Sequence, residues 1–249
     1  GGSPTLYAES LSGATSPTAT GTNSVAIGSD AQATATNGSI AFGTATRASG
    51  NANAAIGYQA NAAGVGALAT GYLANAAADF STAVGRNAKT ATGGNATALT
   101  NSYASGSNSF AAAIANNTSS YGATGANSIA MGDRSSASGS RGIAIGGFGA
   151  LASGVSSLAF GYQATANQSY ASGFGYASKA YGQYSWAGTQ SHASGLSSVA
   201  LGIGDTTTTY GAQHTSGVAI GYQAVTTADK QIALGSSTAQ VKVSGTYTL

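Results

Sequence analysis

The sequence predicts an all-β chain that winds into a parallel β-roll, or solenoid, of about fifteen 14-residue rungs and packs against copies of itself. Three observations carry that prediction. Short apolar fragments ending in Gly recur along the whole chain, among them Ser24-Val-Ala-Ile-Gly28, Ser39-Ile-Ala-Phe-Gly43, Ser128-Ile-Ala-Met-Gly132, Ser198-Val-Ala-Leu-Gly202 and Gln231-Ile-Ala-Leu-Gly235. Their closing position can be followed as 28, 43, 57, 71, 85, 100, 115, 132, 146, 161, 175, 188, 202, 221 and 235, with Gly at thirteen of the fifteen; Thr100 and Ala115 are the exceptions. Inside each fragment, apolar and small residues alternate with a period of two, which is the signature of a strand.

The elements of a rung follow in order. In Ser24-Val-Ala-Ile-Gly28, Val25 and Ile27 point one way and Ser24, Ala26 and Gly28 the other. The closing Gly starts a tight turn, where the absence of a Cβ permits positive φ or close backbone approach. A second short strand follows, as in Ala31-Gln-Ala-Thr-Ala35, with Ala31, Ala33 and Ala35 on one face. A second turn lies seven residues after the closing position, marked by Gly50, Gly64, Gly122, Gly139, Gly182 and Gly195. This heptad is not that of a coiled coil, because large apolar a and d residues are missing and Gly and β-branched residues recur. Fifteen rungs at about 4.8 Å each make a rod of roughly 70 Å. Residues 21–238 form the repeat region, residues 1–20 a tag remnant and N-terminal cap, and residues 239–249 an extended strand or the start of a neck.

If the Ala row fills a thin interior, the larger apolar row must face outward. That row comprises Val25, Ile27, Ile40, Phe42, Ile129, Met131, Ile143, Ile145, Leu158, Phe160, Val199, Leu201, Val218 and Ile220. A continuous stripe of this length exceeds the few hundred Å² of apolar patch that a monomer tolerates. Self-association along the stripe is therefore expected.

Composition excludes several other classes. The chain has 249 residues, of which 6% are charged, against about 25% in an average domain. Its 38 Gly do not fall at every third position and there are two Pro, so it is not collagen. A net charge of +2 from eight scattered cations makes no basic stripe for nucleic acid. No apolar run is long enough for a transmembrane helix and no segment reads as a signal peptide, so direct membrane insertion by this stretch of chain is not expected. With no Cys there is neither a disulfide frame nor a thiolate metal site.

Nothing in the sequence assembles a catalytic or metal centre, and no cofactor is expected. Glu9, Asp30, Asp79, Asp133, Asp205 and Asp229 fall on separate rungs or in a terminal segment, whereas acid–base chemistry needs convergent groups. His192 and His214 are likewise on different rungs. The chain lacks the Asp per repeat of a Ca²⁺-binding roll. Pairs such as Thr34/Thr36, Thr44/Thr46 and Thr90/Thr92 raise an ice-binding alternative, but they fall at different offsets within their rungs and do not stack into one flat row.

The rungs Ser24-Val-Ala-Ile-Gly28, Ser128-Ile-Ala-Met-Gly132 and Ser198-Val-Ala-Leu-Gly202, with Gly at the half-period, resemble the head repeats of trimeric autotransporter adhesins, the Yersinia adhesin-like heads or haemagglutinin heptad repeats. The resemblance spans roughly residues 21–238. It implies a left-handed roll, a homotrimer packed through the apolar strands, and an extracellular passenger head displayed at the cell surface on a stalk anchored in the outer membrane. It further implies attachment to host extracellular-matrix protein, glycan or an abiotic surface. One departure is that Gln240-Val-Lys-Val-Ser-Gly-Thr-Tyr-Thr-Leu249 alternates like a strand where a coiled-coil neck would follow. Phage tail fibres with similar rungs end in this manner, which keeps a receptor-binding or spacer fibre segment as an alternative.

Aromatic residues supply the ligand candidates. Tyr58, Tyr72, Tyr162 and Tyr176 each directly follow a closing Gly and are expected to stack in pairs at the rung edge. Tyr181, Tyr184 and Trp186 add to an aromatic concentration over residues 160–186. The spacing also breaks twice, by a step of 17 residues from 115 to 132 and of 19 from 202 to 221, which predicts inserts near 116–127 and 203–216.

Overall fold

Nearly every turn of the chain contributes one strand to each of two parallel sheets that face one another across an interior of methyl groups. In the computed structural model, residues 15–114, 120–205 and 207–238 are described. Among these residues there is no helix. One sheet has fifteen strands, the first at Val25–Ile27 and the last at Ile232–Leu234, and the other thirteen, from Thr18–Ala19 to His192–Ala193. Every pairing is parallel and joins one turn to the next, for example Val25↔Ile40 and Ile27↔Phe42. We call them the wide and the narrow sheet. The narrow sheet begins at Thr18–Ala19, which pairs with Gln32–Ala33, so the roll reaches into the segment expected to be a cap. The strand expected over residues 239–249 lies outside the described residues, as do Gly1-Gly2-Ser3, expected to be a tag remnant, and Glu9.

The small-residue rows do fill the interior. Ala26, Ala31, Ala33, Ala41, Ala48 and their equivalents in the later turns are buried, and the alternate positions of each strand face out. Such a thin core buries little apolar area per residue, and much of the order comes from backbone hydrogen bonds between turns. Even the corners take part: Gly43 N donates to Ile27 O at 2.8 Å and Ala45 N to Ser29 O at 2.7 Å. Stacking the corners satisfies backbone groups that an ordinary loop leaves to water.

Gly is favoured at the closing position because successive corners touch. Gly57 has φ +128, and a Cβ there would lie 2.5 Å from the Gly71 carbonyl oxygen. The residue two places further on is also left-handed but is seldom Gly: Asp30, Ala45, Gln59, Leu73, Arg134, Phe148 and Gln163 all have φ of 50 to 55. Each carries a strain cost of roughly 1–2 kcal/mol, which the inter-turn bonds offset.

The register corrects the sequence reading in two places. Thr97 pairs with Phe110 and Ala98 with Ala111, so the closing position of that turn is Ala113 and not Ala115. Ser172 pairs with Trp186, and a Cβ on Gly175 would meet Thr189, so the closing position there is Thr189 and not Gly188. The two spacing breaks then become identical. A 13-residue turn (100 to 113, and 189 to 202) precedes a 19-residue turn (113 to 132, and 202 to 221). The extra residues of the long turns fall between Ile114 and Tyr121 and between Ile203 and Tyr210, and these equivalent positions lie 89 residues apart.

The same device accompanies both. The shortened corner leaves room that an isoleucine fills, and Ile114 and Ile203, both 0% exposed, are the largest fully buried side chains among the described residues. Ile114 N donates to Ser102 Oγ at 3.2 Å, and that hydroxyl donates to Thr100 O at 3.2 Å. Ile203 N donates to Ser191 Oγ at 3.2 Å, which donates to Thr189 O at 3.0 Å. Tyr121 and Tyr210, after each insert, pack on the Ala core.

Candidate binding surface

The roll presents two sheet faces and two edges, and the sequence-predicted residues distribute over all four. The apolar row lies on the outer side of the wide sheet as a ladder, continuous for example through Ile129↔Ile143↔Leu158 and Met131↔Ile145↔Phe160. In the single chain Ile40 is 44%, Phe42 52% and Phe160 50% exposed. Val25, Ile27, Ile129, Ile143, Ile145, Leu158, Val199, Leu201 and Val218 are half-buried, while Met131 and Ile220 are exposed.

The corner tyrosines stack as their spacing predicts. The Tyr58 and Tyr72 rings lie 5.3 Å apart at 10°, and those of Tyr162 and Tyr176 5.5 Å apart at 12°, with all four side chains exposed. The aromatic concentration over residues 160–186, however, is not one patch. Tyr184 stacks on Tyr170 at 4.9 Å, at the opposite edge from Tyr162. Trp186 belongs to the wide sheet, where it pairs in register with Ser172 and Val199 and lies 5.8 Å from Phe174, itself 6.4 Å from Phe160. It therefore continues the apolar row and does not join the edge tyrosines. Tyr181 is half-buried on the narrow sheet, edge-on to His192 at 5.3 Å.

Sequence reasoning missed a groove on the first edge. It is an open depression of about 420 Å³ lined by Tyr121, Arg134, Phe148, Gly149, Gln163, Thr165, Ala177 and Lys179. Arg134, Phe148, Gln163 and Ala177 are the left-handed corner residues of four successive turns, while Thr165 and Lys179 are register partners on the narrow sheet. The Arg134 guanidinium lies 4.8 Å over the Phe148 ring, and Phe148 stacks on Tyr162 at 5.6 Å and 7°. Its sequence signal was available in the second residue after each closing Gly, a position that reads only as a turn until the rungs are aligned.

The carboxylates serve the turns. Asp79 Oδ1 accepts from Val65 N at 2.9 Å and Asp229 Oδ1 from Thr215 N at 3.0 Å. Asp205 Oδ1 accepts from Thr207 N at 2.7 Å, and hydrogen bonds from Thr207, chiefly its backbone N–H, hold that carboxyl below its usual range. Asp30 accepts from the Gln32 side chain at 3.0 Å, and Asp133 lies 4.0 Å from the Arg134 side chain. His192 is only 2% exposed, and its burial, reinforced by the nearby Lys179 charge, lowers its pKa. The Thr207 backbone pulls the other way, yet neither ring nitrogen meets hydrogen-bond geometry with any described residue. Among the described residues no cluster of His, Cys, Asp or Glu could hold a metal ion, and no helix is long and apolar enough to cross a membrane. Thr46 and Thr90 point into the core, where Thr46 Oγ1 donates to Gly43 O at 3.0 Å and Thr90 Oγ1 to Ser81 Oγ at 2.8 Å. Two of the three Thr pairs thus lose a member from any flat ice-facing row.

Comparison with known proteins agrees with the rung pattern. The chain matches the YadA head domain repeat over residues 19–44, 54–74, 62–88, 123–148, 152–172, 187–204 and 215–238, which together exceed half its length. No match was found among curated proteins.

Proposed function

Since this chain belongs to the YadA head domain repeat family, a family of adhesin-type heads and not of enzymes, we propose that it is the head of a surface-displayed trimeric adhesin. In this reading three left-handed rolls pack through their wide sheets, and the assembly is carried outside the outer membrane as an extracellular passenger. The observation that supports it is the apolar ladder from Val25 to Ile220, to which every turn gives at least one large apolar side chain, left half-exposed in the single chain. Heads of this family form trimers, and three copies would cover a stripe that water disfavours. The edges and narrow sheet then remain open to host matrix protein, glycan or an abiotic surface.

Binding in this account is by repeated shallow contacts, since each turn offers an edge side chain and the trimer triples every site. Tyr58, Tyr72, Tyr162 and Tyr176 are the proposed contacts on one edge and Tyr184, with its stacking partner Tyr170, on the other. Tyr rings suit this role because an apolar face and a polar tip are presented together. The test is attachment of cells displaying the full-length protein to matrix-coated and bare surfaces. Changing the four first-edge tyrosines to Ser is expected to cut attachment several-fold while the melting temperature of the purified head changes little. Undiminished attachment would remove those tyrosines from the account.

A further inference from the structure

We infer that the groove between Arg134 and Lys179 is a binding site for an acidic polysaccharide chain lying along the axis of the roll. This deepens the adhesin reading above by naming a ligand class and a place for it.

The groove has a local structural origin. The turn closing at Gly146 has an extra corner residue, Gly149, and a Cβ built there would meet nothing within 4 Å. That residue opens the floor. Tyr121, set by the first insert, walls one end, and Lys179 on the narrow sheet stands at the other. Three turns separate Arg134 from Lys179, so the cations are spaced by roughly 14 Å along the axis at about 4.8 Å per turn.

The chemistry of the lining selects the ligand. Both charged side chains that line the groove are cations in a chain that is 6% charged. The carboxylates of Asp133 and Asp205 lie near these cations but outside the lining. The Arg134 guanidinium is held 4.8 Å over the Phe148 ring, so part of the ordering cost of its side chain is met before any ligand arrives. Phe148 lies between Arg134 of the preceding turn and Tyr162 of the following one, so its ring edge gives the groove an apolar contact for sugar C–H groups, and Gln163 and Thr165 offer neutral donors and acceptors beside it. A sugar unit in an extended chain is about as long as the turn spacing of ~4.8 Å. A chain running along the axis therefore meets one corner residue per unit: Arg134, Phe148, Gln163, Ala177. The depression is open on one side, which suits a polymer passing through better than a small molecule enclosed.

The groove also lies at the corner and narrow-sheet side, away from the apolar wide sheet. Trimer packing through the wide sheet leaves three such grooves accessible, and a polymer long enough to meet more than one gains from effective concentration.

The experiment measures binding of the purified head to polygalacturonate, which is acidic through carboxylates, to heparin, which adds sulfates, and to neutral dextran. Arg134→Gln and Phe148→Asn serve as variants, Asn being a residue that tolerates the left-handed corner. The expected result is binding to at least one acidic polymer, none to dextran, and a loss of tenfold or more in each variant with the melting temperature retained. Preference for polygalacturonate would assign a carboxylate ligand and binding to heparin alone a sulfated one. Equal binding to dextran, no binding to either acid, or variants that bind as well as the parent would overturn the inference. Trimer mass and cell attachment are measured alongside. If they persist while glycan binding is absent, the groove fails alone; if the head is monomeric and cells do not attach, the adhesin reading fails with it.

Discussion

At the scale of single residues, the fold depends most on closing glycines whose neighbouring corner leaves no room for a side chain. Gly57 combines a φ of +128 with a corner in which any Cβ would sit 2.5 Å from Gly71 O. Gly57→Ala is expected to cost more than about 2 kcal/mol, from left-handed strain plus displacement of the neighbouring corner, and thermal unfolding would show it as a lowered midpoint. The left-handed position two residues on behaves differently, because its side chain projects outward and only the backbone strain applies. His192 sets a pH dependence. Its pKa is lowered in the folded chain, chiefly by burial, so below about 6.5 the unfolded chain binds a proton that the folded chain resists. Stability is therefore expected to fall as pH drops from about 6.5 toward the lowered folded value, and to be flat above it. His192→Tyr should flatten that fall, since Tyr103 occupies the equivalent position 89 residues earlier. Melting at pH 7.5 and 5.5 for both proteins checks this; an unchanged pH response in the variant would assign the effect elsewhere. The Asp205 carboxyl, also held low, acts only in a more acid range and does not confuse the reading.

At the scale of the element, the unit is the turn, and its stability comes from neighbours more than from itself. The two short–long turn pairs test that view. Among the described residues, Ile114 and Ile203 are the largest of the fully buried side chains, in a core made chiefly of Ala. Truncating either to Ala removes methyl groups that nothing adjacent can replace, at an expected cost of about 2–5 kcal/mol. Chemical denaturation of Ile114→Ala and Ile203→Ala should show similar losses, whereas a loss confined to one would break the equivalence of the pairs. These pairs also show what the sequence could reveal. The alternation of Val25, Ala26 and Ile27, and its recurrence, was enough to place the strands, their parallel pairing and the Ala interior, because side-chain size alone decides which face fits a methyl-wide core. The register around 100–132 and 175–202 was not legible. Thr100, Ala113 and Thr189 replace the marker Gly, and a shortened corner compensated by a buried Ile carries no periodic signal. The grouping of Trp186 with Tyr162 failed for a related reason: proximity along the chain says little in a solenoid, where residues seven apart lie on opposite edges. The Arg134–Phe148 groove draws on four turns and on corner positions, and becomes visible only when the turns are stacked.

At the scale of the whole molecule, the chain divides its surface by chemistry. Polar side chains, Arg47, Lys89, Arg134 and Lys179 among them, and corner aromatics occupy the edges and narrow sheet, while Ile, Val, Leu and Phe predominate on the wide sheet, where Trp186 joins them. Placing a charge in the middle of that sheet should separate the copies without unfolding a roll whose core lies on the other side of the strand. Phe160→Lys is expected to give monomers that keep their β circular dichroism, because residue 160 faces outward and its neighbour Ala159 fills the interior. The most direct measurement of the account is the solution mass of the unmodified chain by light scattering behind a sizing column, across a wide concentration range. A mass three times that of the chain, stable on dilution and reduced to one by Phe160→Lys, is the predicted result. A monomer at every concentration would contradict it, and would mean that the exposed ladder from Val25 to Ile220 is not a subunit interface.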